Sequence, residues 1–292
     1  MESFKPLLPP HIIARNVPDS DNDPLPLPRK PFVISPAIRD DMALSSWLLL
    51  GGLLQGLSWL ALGPLSILPT LLILLYRVVD HLLMAAHITR NRYMDGVVSH
   101  KYTNQFPNPD GSFGSTAADK QIVVFLLGAR SNHPLGSLAP GMKFLSDSVI
   151  AMMRELQADP ESAGLLGTTR WLNQEAPAGN ETMTVMYWRD HESLQRFAHG
   201  SLHTSVMRDW VAVEKKNPHL AIFHETYVVP RGNWESIYVN SKPVGLGDTW
   251  FPTRGKNEEG VWKGFSRPIV NARVGPLRSA MGRLGSTQKA HI

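Results

Sequence analysis

Residues 181–214 read ETMTVMYWRDHESLQRFAHGSLHTSVMRDWVAVE, and this stretch decides the fold. Its first part, Glu181–Arg189, has the length of a strand and is rich in β-branched and aromatic side chains. Helical spacing replaces this pattern from His191 to Glu214, where the apolar side consists of Leu194, Phe197, Val206, Trp210 and Val213. The stretch therefore predicts a strand followed at once by a helix.

The flanking segments predict the remaining elements of one domain. Gln121–Ala129 (QIVVFLLGA) and Gly164–Asn173 have strand character, and Met142–Gln157 between them has an apolar stripe at helical spacing. Leu220–Val229 (LAIFHETYVV) adds a last strand. The order strand, helix, strand, strand, helix, strand predicts an α+β, ferredoxin-like split βαβ fold with both helices on one face of a four-stranded sheet. A second copy would cover the other face and make a homodimeric barrel across a twofold axis.

An apolar run without charged side chains extends from Met42 to Tyr76. Its roughly 35 residues exceed the about 20 that a membrane-spanning helix needs. Three helix-breaking residues, Gly63, Pro64 and Pro69, divide it, so either one tilted helix or two passes would fit. A buried helical hairpin is the alternative. A cleaved signal peptide is not expected, because a long polar segment precedes the run and no small-residue cleavage pattern follows it.

These patterns divide the chain into five regions. Residues 1–41 form a Pro-rich leader predicted to be flexible, and residues 42–79 the membrane segment. Residues 80–118 are expected to be a juxtamembrane helix and linker, 119–250 the ferredoxin-like domain, and 251–292 a partly ordered basic tail. We expect membrane lipid as a partner and an endoplasmic-reticulum location with the catalytic domain in the cytosol.

Composition and missing motifs exclude several classes of protein. The formal charge of +4 comes without a clustered basic stripe, so nucleic acid is not expected as a partner. No cysteine is present, which rules out disulfides and thiolate chemistry. The chain has no Walker loop, H-E-x-x-H or G-x-S-x-G motif, and no G-x-G-x-x-G that opens a helix after a strand.

Two segments carry a resemblance to a known family. The first is YWRDHESL at 187–194, followed by FAH at 197–199 and by His203. The second is HETY at 224–227, followed by Pro230, Gly232 and WE at 234–235. Over roughly residues 119–250 the chain resembles the fungal membrane-associated monooxygenases of the fumagillin-pathway type, within the antibiotic-biosynthesis-monooxygenase group of dimeric α+β barrels.

The resemblance implies oxygenation of a hydrophobic secondary metabolite, such as a terpenoid or a polyketide. Many members of the wider group use no cofactor beyond dioxygen, and a few bind haem. The sequence has no motif that decides between these two modes.

The candidate catalytic residues are centred on the second helix. His199 and His203 are four residues apart and are predicted to share one face. A histidine there would take a proton from a phenol or an enol, because its pKa lies near neutrality. Trp188 and Tyr187 at the preceding strand end would shape the pocket. Structural hydrogen bonding is the alternative role for both histidines.

Two further candidates lie on strands. His224 should share a strand face with Ile222, and Glu225 should point to the other face. Arg170 would stabilise an anionic oxygen intermediate, or lie on the surface. In a haem enzyme, His203 or His199 would be the axial ligand. A mononuclear metal would need His224 or Glu225 as a third ligand, which the spacing does not fix, so no metal site is predicted.

Two other functions fit the same sequence pattern. A non-oxidative isomerase, cyclase or dehydratase would use acid–base histidines in the same apolar pocket, since one fold hosts many chemistries. A non-catalytic, membrane-tethered accessory protein would need the apolar segment but not the histidines.

Overall fold

The computed structural model describes residues 2–18, 23, 25–28, 39, 41–174, 181–257 and 260–285. These residues form two compact units. The larger unit combines Met1–Phe32 with Val98–Ile292, and the smaller one is Val33–Val97. Parts of the expected leader and tail lie outside the described residues.

A four-stranded antiparallel sheet forms the centre of the larger unit. Its strands are β3 (Ile122–Ser131), β4 (Leu165–Leu172), β5 (Thr182–Trp188) and β6 (Leu220–Val229). They lie in the order β4-β5-β3-β6, so the first and third of them are central and the second and fourth are at the edges. With a helical segment after β3 and another after β5, this is the ferredoxin-like α+β arrangement that the element order predicts.

The sheet has a helix side and an outer side, set by the alternation of its strands. Val123 pairs with Trp188 and Phe125 with Met186, so these four side chains lie on the helix side. Together with Leu156 and Leu194 from the helices, they contribute to one apolar core cluster. The outer side is covered at one end by a second cluster that includes Ile122, Leu166, Phe106, Trp234 and Leu246.

The helical layer differs from the expectation of two helices. After β3 comes α3 (Met142–Ala158), and the short α4 (Pro160–Ala163) follows. The predicted second helix is broken into α5 (His191–Ala198) and α6 (Ser201–Lys216). Gly200, between them, has an extended backbone conformation with ψ 156°, which ends the helical path. The prediction of a single helix over 191–214 is therefore wrong.

The expected flexible leader is folded in its described part. Strand β1 (His11–Arg15) pairs with β9 (Gly260–Ser266), which also pairs with β8 (Phe251–Asn257). The backbone N–H of Leu27 donates to the carbonyl of Gln157 at 3.0 Å, and Leu27 is buried in the helix-side cluster. The sequence did not predict this folded leader, because its composition is rich in proline and the partner of its strand lies about 250 residues further along the chain.

The region beyond residue 250 is likewise folded rather than a tail. Besides β8 and β9 it contributes β10 (Ile269–Asn271), which pairs with β2 (Val98–Asn104), and β2 pairs in turn with β7 (Tyr238–Ser241). The chain ends its described part in α7 (Ala280–Arg283). Strand β2 and the buried Phe106 and Phe113 lie within the expected 80–118 linker, so its second half belongs to the folded unit.

The smaller unit contains the apolar run. Helix α1 (Leu44–Leu62) and helix α2 (Leu68–Ala85) flank a 3-10 turn at Gly63–Ile67. The whole stretch Leu44–Ala85 is long and apolar enough to cross a membrane, and its most apolar window has no buried residue. Gly63 has φ +63°, a left-handed conformation that favours glycine and ends α1. The predicted division at Gly63 is present.

Candidate active site

The layer between the sheet and the helices contains most of the candidate residues. Trp188 ends strand β5 and is completely buried. Its ring lies against that of Phe197 on α5, with centroids 5.6 Å apart. The indole Nε1–H of Trp188 is buried and has no hydrogen-bond acceptor among the residues that the structure describes. A buried donor without an acceptor is costly, so this N–H is suited to bind an oxygen atom that is supplied from outside.

The position of α5 over Trp188 follows from the sequence at its start. Asp190 caps the helix by accepting a hydrogen bond from the Ser193 N–H at 2.7 Å, and Arg189 donates to both side chains. Partial burial works to raise the pKa of Asp190, but the hydrogen bonds from Ser193 and Arg189 outweigh it and hold the pKa below its usual value. Leu194 and Phe197 are thereby directed onto Trp188.

His203 lies in the first turn of α6 and contacts the same phenyl ring. Its imidazole meets Phe197 edge-on, with centroids 5.3 Å apart and an interplanar angle of 63°. The side chain is half-buried. The completely buried indole and the half-buried imidazole therefore contact the same aromatic ring.

His224 lies on β6, on the helix side of the sheet. Its ring stacks on Phe125 at 5.3 Å, and Phe125 packs against the same core cluster as Trp188. Register confirms the predicted alternation, because His224 and Ile222 share this side while Glu225 points to the outer side. His224 is exposed, so the helix-side layer is closed at Trp188 and open along β6.

His199 is not part of this arrangement. It ends α5, is exposed, and its Nδ1 donates to the carbonyl of Gln195 at 2.8 Å. Because the helix breaks at Gly200, His199 and His203 do not lie on one helical face, and the predicted histidine pair is wrong. The glycine and the following Ser201 were the available signal, since Gly commonly ends a helix.

Tyr187 points away from Trp188, to the outer side of the sheet. It packs against the cluster of Trp234 and Leu246. Burial raises the pKa of Tyr187 to about 12, and the neighbouring Tyr238 adds to the shift, while a hydrogen bond with the backbone of Leu246 opposes it. The phenol is therefore neutral at physiological pH, and Tyr187 does not shape a helix-side pocket as expected.

Arg170 lies at the edge of the sheet on β4. It pairs in register with Thr184, which places it on the helix side, and its side chain is exposed. Surface exposure was the alternative that the sequence left open for Arg170. The arginine is separated from β6 by the two central strands.

No metal centre is assembled by the described part of the chain, where no three His, Asp or Glu side chains are grouped to hold an ion. Two surface hollows lie elsewhere. One, of about 240 Å³, is bordered by Phe106, Lys120, Leu166 and Arg189 among others. The other, of about 400 Å³, lies between the end of α6 and the start of β6. Neither is lined by a predicted catalytic residue.

Comparison with known proteins identifies the family. The sequence profile of the "Monooxygenase af470-like" family matches residues 122–246, which span the central sheet and its helices. The chain is 33% identical over 258 residues to "Monooxygenase af470" of Aspergillus fumigatus, and the match covers 87% of this chain and 91% of that protein. The chain belongs to the monooxygenase af470-like family. The resemblance seen in residues 187–203 and 224–235 is thus confirmed, and with it an enzyme of the monooxygenase class.

Two solved structures with a similar fold each cover little more than a third of this chain. A dabb family protein with a ferredoxin-like fold from Mesorhizobium loti covers 37% of this chain and 97% of its own, at 15% identity and a TM-score of 0.27. SnoaB, a cofactor-independent oxygenase from Streptomyces nogalater, covers 36% of this chain and 90% of its own, at 14% identity and a TM-score of 0.25. These scores are too low for either likeness to bear on the activity.

Two site residues gain a role that sequence reasoning did not assign. Phe197 was predicted only as part of the apolar side of a helix, yet its ring joins Trp188 to His203. Phe125 was predicted only as one apolar residue in a strand, yet its ring stacks on that of His224. The alternation of Val123, Phe125 and Leu127 along β3 was the only signal for the second contact.

Proposed function

We propose that the protein is a membrane-anchored monooxygenase that oxidises a lipophilic secondary metabolite, a terpenoid or a polyketide, with dioxygen as the only co-reactant. One observation carries the proposal: a buried indole N–H without an acceptor lies one aromatic ring away from a half-buried imidazole. An apolar substrate with one acidic C–H or O–H group matches this combination of donor, base and aromatic surface.

The first step is removal of a proton. His203 accepts it from an activated CH₂ or from a phenol in the substrate, as the neutral imidazole is suited to do near pH 7. His224, at the open side of the layer, is the alternative base. Trp188 donates its free N–H to the oxygen atom on which negative charge develops, which stabilises the anion in apolar surroundings.

The oxygen step then balances without an external reductant. The substrate anion gives one electron to dioxygen, and the resulting radical pair combines to a peroxide anion at the former CH₂ carbon. The protonated histidine returns its proton to the outer oxygen, the O–O bond breaks, and water leaves as the carbon loses its second hydrogen. In sum, CH₂ and O₂ become C=O and H₂O, and the substrate carbon supplies all four electrons.

The membrane part of the proposal has its support in the smaller unit. Helices α1 and α2 expose leucine, isoleucine and valine side chains along most of their length. An exposed apolar surface of this size fits lipid rather than water. An apolar metabolite partitions into the same bilayer, and an enzyme tethered there meets a high substrate concentration. We propose the endoplasmic reticulum, with the larger unit in the cytosol.

A homodimer belongs to the same proposal. The part of the outer sheet side that the second cluster does not cover carries three exposed aromatic residues, Trp171, Phe223 and Tyr227, with exposed fractions of 49%, 41% and 50%. A second copy of the chain, related by a twofold axis, would cover this side of the sheet.

Oxygen consumption tests the proposed reaction. The full chain, purified in detergent and given candidate terpenoid and polyketide metabolites, should consume one O₂ per product, and product should not form under strict anaerobiosis. Trp188→Phe retains an aromatic ring but lacks the N–H, and should lower kcat by a factor of about 10 to 1,000. Trp210→Phe is the matched control on α6 and should retain most of the activity. Unchanged product formation without oxygen would refute the oxygenase in favour of an isomerase, a cyclase or a dehydratase.

The absorption spectrum of the same preparation tests the co-reactant. An enzyme that needs only dioxygen should show no Soret band and should keep its activity after metal chelation. A Soret band that changes in His203→Ala or His224→Ala, each of which removes an imidazole at the helix-side layer, would instead assign a haem enzyme.

A further inference from the structure

The two segments that flank the apolar helices belong to the same folded unit. Strand β1, before the helices, pairs with β9, which comes long after them. The N–H of Phe4 donates to the carbonyl of Gly114 at 2.9 Å, and that of Leu27 to Gln157 at 3.0 Å. A domain folded in this way lies on one side of a membrane. The chain must therefore enter the bilayer and return to the side from which it came.

The connecting segments do not provide the return path themselves. Residues 29–41 include Arg29, Lys30, Arg39, Asp40 and Asp41, and residues 86–97 include Arg90, Arg92 and Asp95. Charged side chains at this density, on chain too short for a spanning helix, are too costly to place in the hydrocarbon core. The return must therefore occur within Leu44–Ala85.

Polar side chains within that stretch show where the chain turns back. Gln55 on α1 donates from Nε2 to the hydroxyl of Ser66 at 3.2 Å, and Thr70 on α2 donates to Gln55 Oε1 at 3.4 Å. On one straight helix, Gln55 and Thr70 would be about 22 Å apart at 1.5 Å per residue. Direct contact therefore requires that the chain folds back at the turn that begins with Gly63. The same bonds satisfy polar groups that lipid would leave unpaired.

The charges indicate which side the hairpin starts from. Cationic residues flank the uncharged run Met42–Tyr76 within and beside this stretch: Arg29, Lys30 and Arg39 precede it, and Arg77, Arg90 and Arg92 follow it. The turn Gly63–Ile67 carries no charge. Short segments rich in Lys and Arg stay on the cytosolic side of a membrane, so both ends match the cytosolic face.

We infer that Leu44–Ala85 is a helical hairpin anchor that enters the bilayer from the cytosolic face, turns at Gly63–Ile67 and returns to that face. A single pass, with the leader on one side and the catalytic unit on the other, would break the pairing of β1 with β9. The inference rests on the membrane anchoring in the proposed function and is independent of the reaction that the enzyme performs.

Cysteine labelling on sealed vesicles tests the topology, since the chain has no cysteine of its own. Three single variants of the full chain are compared: Ser3→Cys in the leader, Ser146→Cys on α3 and Leu65→Cys in the turn. A membrane-impermeant maleimide, applied from the cytosolic side, should label the first two to the same extent and should label Leu65→Cys at least tenfold less. Labelling of Ser3→Cys and Ser146→Cys from opposite sides would overturn the hairpin. So would equal labelling of all three variants in a protein that stays soluble.

A cross-link tests the turn itself. In the double variant Gln55→Cys, Thr70→Cys, a short bifunctional thiol reagent should join the two sites within one chain. The control pair Gln55→Cys, Val79→Cys should not react, because Val79 lies nine residues further along α2. Absence of the first cross-link would indicate one straight helix and overturn the inference. Neither experiment requires turnover, so a failed oxygenase assay leaves the topology result intact.

Discussion

Asp190 is the residue on which the placement of α5 depends most directly. Its carboxylate accepts the Ser193 N–H and is held by Arg189, so its pKa in the folded state lies below the ordinary value. A carboxyl group of this kind stabilises the fold above its ordinary pKa, and the contribution is lost as pH falls through the lowered value. Asp190→Ala should cost about 1 kcal/mol at pH 7.

Urea unfolding at several pH values, followed by tryptophan fluorescence, measures this effect. The difference in unfolding free energy between the native protein and Asp190→Ala should shrink below about pH 4, because there the carboxylate of the unfolded chain takes up a proton while that of the folded protein is still ionised. Asp190→Asn keeps an acceptor for Ser193 and should lose less. A difference that stays constant down to pH 2 would mean that the carboxylate charge contributes nothing.

At the same scale, the ring of one neighbouring residue explains why Gly128 has no side chain. A Cβ added at Gly128 would lie 2.0 Å from the ring of Phe223 on the adjacent strand. Because Phe223 is partly exposed, its ring can move aside, so Gly128→Ala should destabilise by about 1 kcal/mol rather than prevent folding. In the Phe223→Ala background the same change should be nearly neutral. A double-mutant cycle in urea measures the coupling, and additive effects would contradict it.

At the scale of single residues, the sequence predicted which side of the sheet a strand side chain faces. It did not predict which side chains contact each other. The period-2 alternation placed His224 with Ile222 and opposite Glu225, since strand geometry alone determines this. The alternation did not predict that Trp188 and His203 both contact the ring of Phe197. Phe197 and His203 lie on two helices, and the relative direction of these helices depends on the backbone at Gly200. Helical periodicity assumed continuity across that glycine.

Strand β1 is the element whose role is most easily tested. It packs so closely on β9 that a Cβ at Gly264 would lie 2.2 Å from the carbonyl oxygen of His11 and 2.9 Å from the Cα of Ile12. Backbone atoms cannot move aside as a side chain can. Gly264→Ala should therefore release β1 from the edge of the sheet and make the chain at least tenfold more sensitive to trypsin at Arg15.

Limited proteolysis with mass spectrometry measures this release. Gly114→Ala is the matched control, because no atom lies within 4 Å of the added Cβ. Cleavage at Arg15 that is equally fast in the native protein would show that β1 is already detached in solution, and would remove the structural basis for placing both ends of the hairpin on one side.

Elements of the central sheet could be predicted because each carries its own periodicity over contiguous residues. The β1-β9-β8 and β10-β2-β7 sheets could not, since their strands are short or polar and their partners lie far apart in sequence. Residues such as Ile12 and Val270 show no pattern that predicts a strand, and their role becomes clear only once the partner strand is known. Proline-rich composition then favoured a flexible leader, although Val17 and Leu27 are buried.

At the scale of the whole molecule, part of the outer side of the central sheet is exposed among the residues that the structure describes. Val124 and Leu126 lie on this side by register, and the exposed Trp171 and Tyr227 lie on the same side on the two edge strands. Exposed apolar groups of this size on a sheet mark an interface, and a twofold pair of identical sheets buries both at once.

The proposed dimer should therefore depend on charge placed on this surface. Trp171→Lys combined with Tyr227→Lys should shift the detergent-solubilised protein from dimer to monomer, because each interface would bury two unpaired ammonium groups per chain. Val211→Lys, on the exposed side of α6, introduces one lysine elsewhere and should leave the proposed dimer intact. Sedimentation velocity at micromolar concentration measures the distribution. A monomeric native protein, or equal dissociation in the Val211→Lys control, would show that lipid or another protein covers the sheet instead.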